Sequence, residues 1–194
     1  MEEENSAIPE KKLRVGVLAT DGFEEAELTE PVRALKEAGA SAIVVAPHTG
    51  SIQGFKHHDK TITVPVDLTM DKAEPGEFDA LLLPGGALNA DALRAEPKVR
   101  EIIQKVQDEG KPIAAICHAP WELISAGVAH GRKLTSYHTI QDDLENAGAE
   151  WSDEEVVVDK NWVTSRQPGD IPAFNREMLK LFTKTSALPA RAAH

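Results

Sequence analysis

Short apolar runs and helical patterns alternate along this chain of 194 residues, and the alternation restricts the folds that it can adopt. The runs have the length of buried strands and lie at 13–19, 41–46, 79–83 and 112–116. Apolar side chains at helical spacing lie between or after them, at Leu28, Val32 and Leu35, at Val99, Ile102, Ile103 and Val106, and at Phe174, Met178, Leu181 and Phe182. Because strands that alternate with helices form a mostly parallel sheet covered on both faces, the sequence predicts an α/β fold.

The pattern predicts a single domain over residues 12–183. Residues 1–11 and 184–194 are polar and are predicted to be flexible tails. Residues 50–66 have the pattern of a β-hairpin outside the main alternation. Two further strands are expected at 155–159 and 162–165, joined by a turn at Lys160 and Asn161.

The charge of the chain argues against polyanionic partners. Its formal net charge is −11, so neither nucleic acid nor an anionic membrane surface is expected to bind. No apolar run approaches the ~20 residues of a membrane-spanning helix. The single cysteine excludes an internal disulfide and favours a reducing, cytoplasmic setting.

Three segments that carry reactive or flexible residues follow strands of the predicted sheet, at 20–25, 84–87 and 117–118. In an open parallel sheet, ligands bind outside the carboxyl ends of the strands. We therefore expect the three segments to converge on one site.

Cys117 follows the run at 112–116 directly, and small and helix-forming residues come after it. This pattern is typical of a nucleophile elbow, in which a strand, a sharp turn and a helix expose the reactive atom. A helix N-terminus favours the thiolate, so the elbow predicts a lowered pKa for Cys117. The alternative interpretation is a buried core cysteine, since free cysteines are commonly buried.

The diglycine Gly85-Gly86 and the carboxyl of Glu24 are the candidate partners of this thiol. Glycines at a strand end let backbone N–H groups approach a ligand, as an oxyanion hole requires, although a plain tight turn has the same sequence. Glu24 could hold and pass a proton beside Cys117. The alternative role of Glu24 is structural, in a capping box with Asp21 at the N-cap.

Histidines near these segments are further candidates. The side chain of His118 is expected to point away from the Cys117 sulfur, which leaves its backbone N–H as an oxyanion donor. His138 could reach the pocket, although a lone loop histidine is more often solvated. His57 and His58 have no further ligands at metal-binding spacing, so no metal site is expected there.

Several motifs occur together in the order seen in a known family: Phe23-Glu24, Leu83-Pro84-Gly85-Gly86, Ala115-Ile116-Cys117-His118-Ala119, Ile124-Ser125-Ala126-Gly127 and Thr135-Ser136-Tyr137. The combination resembles the PfpI family, in the superfamily of the parkinsonism-associated protein deglycase, with its class I glutamine amidotransferase-like fold. The resemblance runs from about residue 13 to 182. It implies a flavodoxin-like three-layer α/β/α sandwich.

At the site, the resemblance implies Cys117 as nucleophile and Glu24 as the protonated carboxyl that touches the thiolate. It implies Gly86 and His118 as backbone oxyanion donors, with Gly85 and His138 as possible pocket residues. The leading prediction is a stress-protective glyoxalase III or deglycase that acts without cofactor on methylglyoxal, glyoxal or their protein adducts. The alternatives are an intracellular cysteine peptidase that uses Cys117 and His118, and a non-enzymatic redox sensor or holdase chaperone.

Two departures from the resembled proteins bear on these alternatives. In peptidase-type members a glutamate from a neighbouring subunit, a few residues past the diglycine, completes a Cys-His-Glu triad. This chain has Ala90 at that position, which argues against the peptidase. True glutamine amidotransferases carry a His-x-Glu motif near the C-terminus, which this chain lacks. The resemblance also implies a homo-oligomer, a dimer as in most members or a hexamer as in some.

Overall fold

A computed structural model describes residues 12–186 of the chain, so residues 1–11 and 187–194 of the predicted tails lie outside the described residues. The strands are β1 (Arg14–Leu18), β2 (Phe23–Glu24), β3 (Ser41–Ala46), β4 (Ser51–Lys56), β5 (Asp59–Pro65), β6 (Leu68–Thr69), β7 (Ala80–Leu83), β8 (Ile113–Ile116), β9 (Lys133–Leu134), β10 (Glu150–Trp151), β11 (Val157–Asp159) and β12 (Trp162–Ser165). The helices are α1 (Glu25–Glu37), α2 (Ala87–Ala95), α3 (Pro97–Asp108), α4 (Pro120–Ser125), α5 (Gln141–Asn146) and α6 (Ile171–Ser186), with 3-10 turns at His138–Ile140 and Pro168–Asp170. Helix α6 continues three residues into the predicted C-terminal tail.

The central sheet has seven strands in the order β11-β12-β8-β7-β1-β3-β6. Only the edge pair of β11 and β12 is antiparallel, and the other neighbours run parallel. The predicted mostly parallel sheet is confirmed. The carboxyl ends of β1, β7, β8 and β12 therefore meet side by side at one edge of the sheet.

Helices cover both faces of this sheet, which confirms the three-layer sandwich. Side chains alternate between the faces along each strand, so that Leu81 and Leu83 join one core while Leu82 joins the other. The first core packs against α3 and α4 through residues such as Ile102 and Leu123. The second packs against α1 and α6, where residues such as Leu28, Leu35, Phe174 and Met178 are buried.

The predicted hairpin at 50–66 is present as β4 and β5, paired antiparallel. A strand that the sequence pattern did not predict, β2, adds to β4 and ties the hairpin to the segment after β1. Because β2 has only two residues, no alternation of apolar and polar side chains could reveal it. No helix within residues 12–186 is long and apolar enough to cross a membrane.

Candidate functional site

A cavity of about 570 Å³ opens at the carboxyl ends of the central strands. All three segments that the sequence singled out contribute to it, through Gly22 and Glu24, through Gly86 to Leu88, and through Cys117 and His118. The hairpin of β4 and β5 closes one side of the cavity. The remaining lining residues are Glu27, Phe55, His57, His58, Tyr137, Gln167 and Pro168.

Cys117 sits on a sharp turn between β8 and α4. Its φ angle is 64°, a left-handed conformation that L-residues rarely adopt. Two hydrogen bonds hold this conformation: the Cys117 N–H donates to the Ser165 carbonyl at 3.0 Å, and the Tyr137 N–H donates to the Cys117 carbonyl at 2.9 Å. Cys117 is only 7% exposed, yet it lines the cavity. It therefore has both the turn expected of an elbow and the burial expected of a core cysteine.

The diglycine loop after β7 presents its backbone to this thiol. The backbone N–H groups of Gly86 and His118 face the sulfur and act to lower the pKa of Cys117. Gly86 has a φ of 94°, and a Cβ atom there would overlap the backbone at Gly22 and Phe23. Gly85 does not line the cavity; it lies beneath, where a side chain would overlap Glu27 and Cys117.

The carboxyl beside the thiol belongs to Glu27, where the sequence analysis expected Glu24. Glu27 is fully buried in the first turn of α1, against the Cys117 side chain and the Gly85 N–H. Neither of its oxygens has a hydrogen bond of ordinary geometry within residues 12–186, so the contact is loose. Burial, and next the charge of Glu24, raise the pKa of Glu27 from 4.5 to about 8. Glu27 is therefore mostly protonated at pH 7.

Glu24 lies at the wall of the cavity instead of at the sulfur. Its Oε2 atom accepts a hydrogen bond from the His57 N–H at 3.0 Å. The expected capping box is not formed, because α1 begins at Glu25 with Glu24 at the N-cap and no side-chain cap bond. Asp21 accepts a hydrogen bond from the Gln53 N–H at 2.7 Å and so braces the hairpin.

The thiol itself is not acidified, contrary to the expectation from the elbow. Burial and then the charge of Glu27 raise the pKa of Cys117 above its ordinary value, and the two N–H groups offset this only in part. Desolvation of the sulfur outweighs the helix terminus because α4 starts three residues later and is only six residues long. Cys117 and Glu27 are close enough to titrate as a pair.

The imidazole of His118 turns toward the sulfur, which corrects the expected orientation. Its Nδ1 atom is 3.1 Å from the Cys117 Sγ, and its Nε2 atom is 3.3 Å from the Thr139 Oγ1. The ring stacks on Tyr137 with centroids 4.9 Å apart. Burial lowers the pKa of His118, so the ring is neutral at pH 7.

His138 is exposed, its ring contacts the ring of Tyr137, and it does not line the cavity.

Asn89, which the sequence analysis did not single out, connects the elements that form the site. Its Oδ1 accepts from the Thr20 N–H at 2.7 Å, and its Nδ2 donates to the carbonyls of Pro84 and Gly85 at 3.0 and 3.2 Å. Its burial and its bonds to two separate segments are set by the tertiary structure, so no local sequence pattern reveals its role. The neighbouring Ala90 is fully buried.

Within the described part of the chain, no group of three or more His, Cys, Asp or Glu side chains is placed to hold a metal ion. His57 and His58 lie at the tip of the hairpin and line the cavity without such partners. The groups beside the Cys117 sulfur are the mostly protonated carboxyl of Glu27 and the neutral imidazole of His118.

The α/β sandwich with a cysteine at a sharp strand-to-helix turn and a buried carboxyl beside it places this chain among the α/β proteins that carry a nucleophile elbow. The DJ-1/PfpI family model matches residues 13–181, and the chain belongs to this family. It is 50% identical over 169 residues to the protein named Deglycase PfpI of Pyrococcus furiosus, covering 87% of this chain and 99% of that protein. It is 46% identical over 169 residues to Protein/nucleic acid deglycase 2 of Escherichia coli K12, covering 87% and 96%.

The fold is also found in a solved two-domain protein from Anabaena variabilis that contains DJ-1/ThiJ/PfpI-like and ferritin-like domains. The two superpose with a TM-score of 0.84 and 34% sequence identity, over 94% of this chain and 52% of that one. This chain thus spans about half the length of the two-domain protein.

Proposed function

We propose that this protein is a cysteine-dependent deglycase that removes α-oxoaldehydes such as methylglyoxal from amino and thiol groups, and that also converts the free aldehyde. The names of the two relatives support the deglycase. The observation that carries the chemistry is the protonatable carboxyl of Glu27 beside Cys117, in a cavity large enough for a small adduct.

The first step forms a bond between sulfur and carbon. In its carboxylate form Glu27 takes the proton of the Cys117 thiol, and the thiolate attacks the carbon that was the aldehyde carbon of methylglyoxal. The bond from that carbon to the substrate nitrogen or sulfur breaks, and Glu27 returns the proton to the leaving group. Oxygen charge that develops on the substrate faces the N–H groups of Gly86 and His118.

The second step is an internal redox change that needs no external oxidant. Glu27 removes the proton from the sulfur-bound carbon and returns it to the neighbouring ketone carbon, while the hydroxyl proton of the sulfur-bound carbon passes to the ketone oxygen. The first carbon is thereby oxidised to a thioester and the second is reduced to an alcohol. Water then cleaves the thioester, which releases lactate and regenerates Cys117.

The test is the stoichiometry of the products from methylglyoxal-modified Nα-acetylarginine, followed by NMR. The proposal predicts lactate and free Nα-acetylarginine in equal amounts, and neither above the uncatalysed rate with Cys117→Ser. Release of Nα-acetylarginine without lactate would contradict the proposed steps.

A peptidase is the second candidate, and the contact of Cys117 with His118 at 3.1 Å is the observation in its favour. A neutral imidazole at that distance could take the thiol proton. However, the far nitrogen of the ring meets the hydroxyl of Thr139, and this chain has Ala90 at the position from which peptidase-type members supply a glutamate to a neighbouring subunit. Cleavage of a fluorogenic peptide that is lost with His118→Ala would favour this candidate over the deglycase.

We propose a cytoplasmic, stress-protective setting for this activity and a homodimeric or hexameric assembly. A reducing compartment suits a lone thiol that must stay reduced to react.

The assembly is supported by Leu88, a side chain at the rim of the cavity that is 65% exposed. A redox sensor or holdase remains the non-enzymatic alternative, and lactate production separates the deglycase from it.

A further inference from the structure

Glu24 is a carboxylate without a cationic partner at the wall of the cavity. One of its oxygens is fixed by the His57 N–H at 3.0 Å, and the side chain is half-buried. The other oxygen of Glu24 accepts no hydrogen bond from any residue between 12 and 186. Glu24 also forms no ion pair with any residue in that range. Its charge reaches the buried Glu27 strongly enough to raise the pKa of that carboxyl. Glu24 therefore projects negative charge onto the place where the substrate must lie.

The rest of the cavity wall fits a positive charge as well. No Lys or Arg is among the described residues that line it. The aromatic rings of Phe55, Tyr137 and His118 form part of the wall, and aromatic faces attract guanidinium and ammonium groups. The net charge of −11 adds a field of the same sign around the entrance.

We propose that the site selects adducts that carry a positive charge close to the glycated atom, as glycated arginine side chains do, and that Glu24 is the residue that binds this charge. The inference rests on the proposed deglycase function. It predicts that neutral and anionic adducts, including those of ordinary thiols, are poorer substrates. The proton transfers remain with Glu27.

The experiment uses three thiols that differ in charge and react with methylglyoxal in the same way: thiocholine (positive), N-acetylcysteamine (neutral) and 3-mercaptopropionate (negative). Each is mixed with methylglyoxal so that the three hemithioacetals have equal concentrations, and lactate formation is measured at pH 7.5 and low salt. The wild type should show kcat/KM falling from positive to neutral to negative. A charge-assisted contact corresponds to a preference of about tenfold for the positive adduct over the neutral one.

Glu24→Gln should abolish most of that preference, because the amide oxygen can still accept from the His57 N–H while the charge is lost. The matched control is Glu25→Gln, which removes an equal charge one residue away and outside the cavity wall, and should leave the preference intact. Equal kcat/KM for the three adducts in the wild type, or an unchanged preference in Glu24→Gln, would overturn the inference.

The same measurements separate this inference from the deglycase itself. If the rate follows only the concentration of free methylglyoxal and no hemithioacetal is consumed directly, the deglycase proposal fails and a glyoxalase remains. If the hemithioacetals are consumed directly but without regard to charge, the deglycase stands and only the selectivity is wrong. Raising the salt concentration should weaken a true charge preference, since screening reduces it.

Discussion

At the scale of single residues, the site depends on one proton shared between Cys117 and Glu27. Burial disfavours the charged form of each group, and repulsion between the thiolate and the carboxylate disfavours the state in which both are ionised. Loss of the first proton from the pair leaves one proton between sulfur and oxygen, and the N–H groups at the sulfur make the thiolate arrangement reachable. In the proposed mechanism the pair thus produces the thiolate by internal proton transfer, without an acidic thiol.

The alkylation rate of Cys117 by iodoacetamide should therefore rise as the pH rises through about 8, the pKa of Glu27. Below that pH the carboxyl holds its own proton and cannot accept that of the thiol. In Glu27→Gln this step should vanish, leaving only the rise at higher pH that belongs to the thiol itself. Identical pH profiles for the two proteins would show that Glu27 does not control the thiol.

The sequence analysis predicted the position of Cys117 on a sharp turn at the site but not the carboxyl beside it, and the reason lies in the start of α1. Glu24, Glu25 and Glu27 occupy one acidic stretch, and the family motif is carried by Phe23-Glu24. Helical spacing can be applied to these residues only when the start of α1 at Glu25 is known. It then places Glu27 on the same face as the buried Pro31 and Leu35. The orientation of the His118 ring likewise depends on stacking against Tyr137, a contact between distant segments that no local pattern reveals.

At the scale of elements, α4 contains a polar side chain that the proposed reaction does not use. Glu122 is fully buried, and neither carboxyl oxygen has a hydrogen-bond partner within residues 12–186. Burial raises its pKa well above the ordinary 4.5. The helix that follows Cys117 thus buries a carboxyl that lacks a hydrogen-bond partner among the described residues, at a cost in stability.

Replacing Glu122 by Met should raise the free energy of unfolding by about 1–3 kcal/mol at pH 7, because an unsatisfied buried group is removed. The pKa of Glu122 is higher in the folded than in the unfolded chain, so the wild type loses stability as the pH rises above about 4.5. The advantage of the variant should therefore grow with pH. Urea unfolding at pH 5, 7 and 8.5 measures this, and a destabilised Glu122→Met would indicate an unrecognised partner of the carboxyl.

A second prediction at this scale concerns Asn89, which joins the end of β1 to the loop after β7. Asn89→Asp keeps the acceptor for the Thr20 N–H but loses both donations to the Pro84 and Gly85 carbonyls. We expect a loss of about 2–4 kcal/mol in the free energy of unfolding, since two buried contacts are lost and a charge is buried. The control is Asp91→Asn, an exposed position on the same helix, which should change stability by less than about 0.5 kcal/mol.

The elements that the sequence predicted are those with enough residues to show a period. The long helices α1, α3 and α6 and the buried strands of the central sheet follow the predicted pattern closely, because each buries a regular row of apolar side chains. The two-residue strands β2, β6, β9 and β10 are fixed by their pairing partners and leave no pattern in the sequence.

At the scale of the whole molecule, the parallel sheet explains why distant segments of the chain form one site. Loops after β1, β7, β8 and β12 all leave the same edge, so residues far apart in sequence line one cavity. The separate hairpin of β4 and β5 extends this wall and supplies Phe55 and His57.

We expect the protein to assemble as a dimer or hexamer, with Leu88 buried by a partner. Multi-angle light scattering of the full chain should give a mass of at least twice 21.0 kDa. Leu88→Asn should shift the mass toward the monomer at low concentration, because it weakens an apolar contact without touching the core. A monomer at every concentration in the wild type would contradict the expected assembly.

The central claim is that Cys117 reacts with the aldehyde carbon while Glu27 moves the protons, and lactate formation from methylglyoxal tests it most directly. Cys117→Ser should abolish turnover. Glu27→Gln should lower kcat by about 10²–10⁴-fold, the loss expected when a general acid–base group is removed. Glu24→Gln should lower it far less, since Glu24 lies at the wall and not at the sulfur. Turnover that survives Cys117→Ser, or that depends on Glu24 more than on Glu27, would contradict the account.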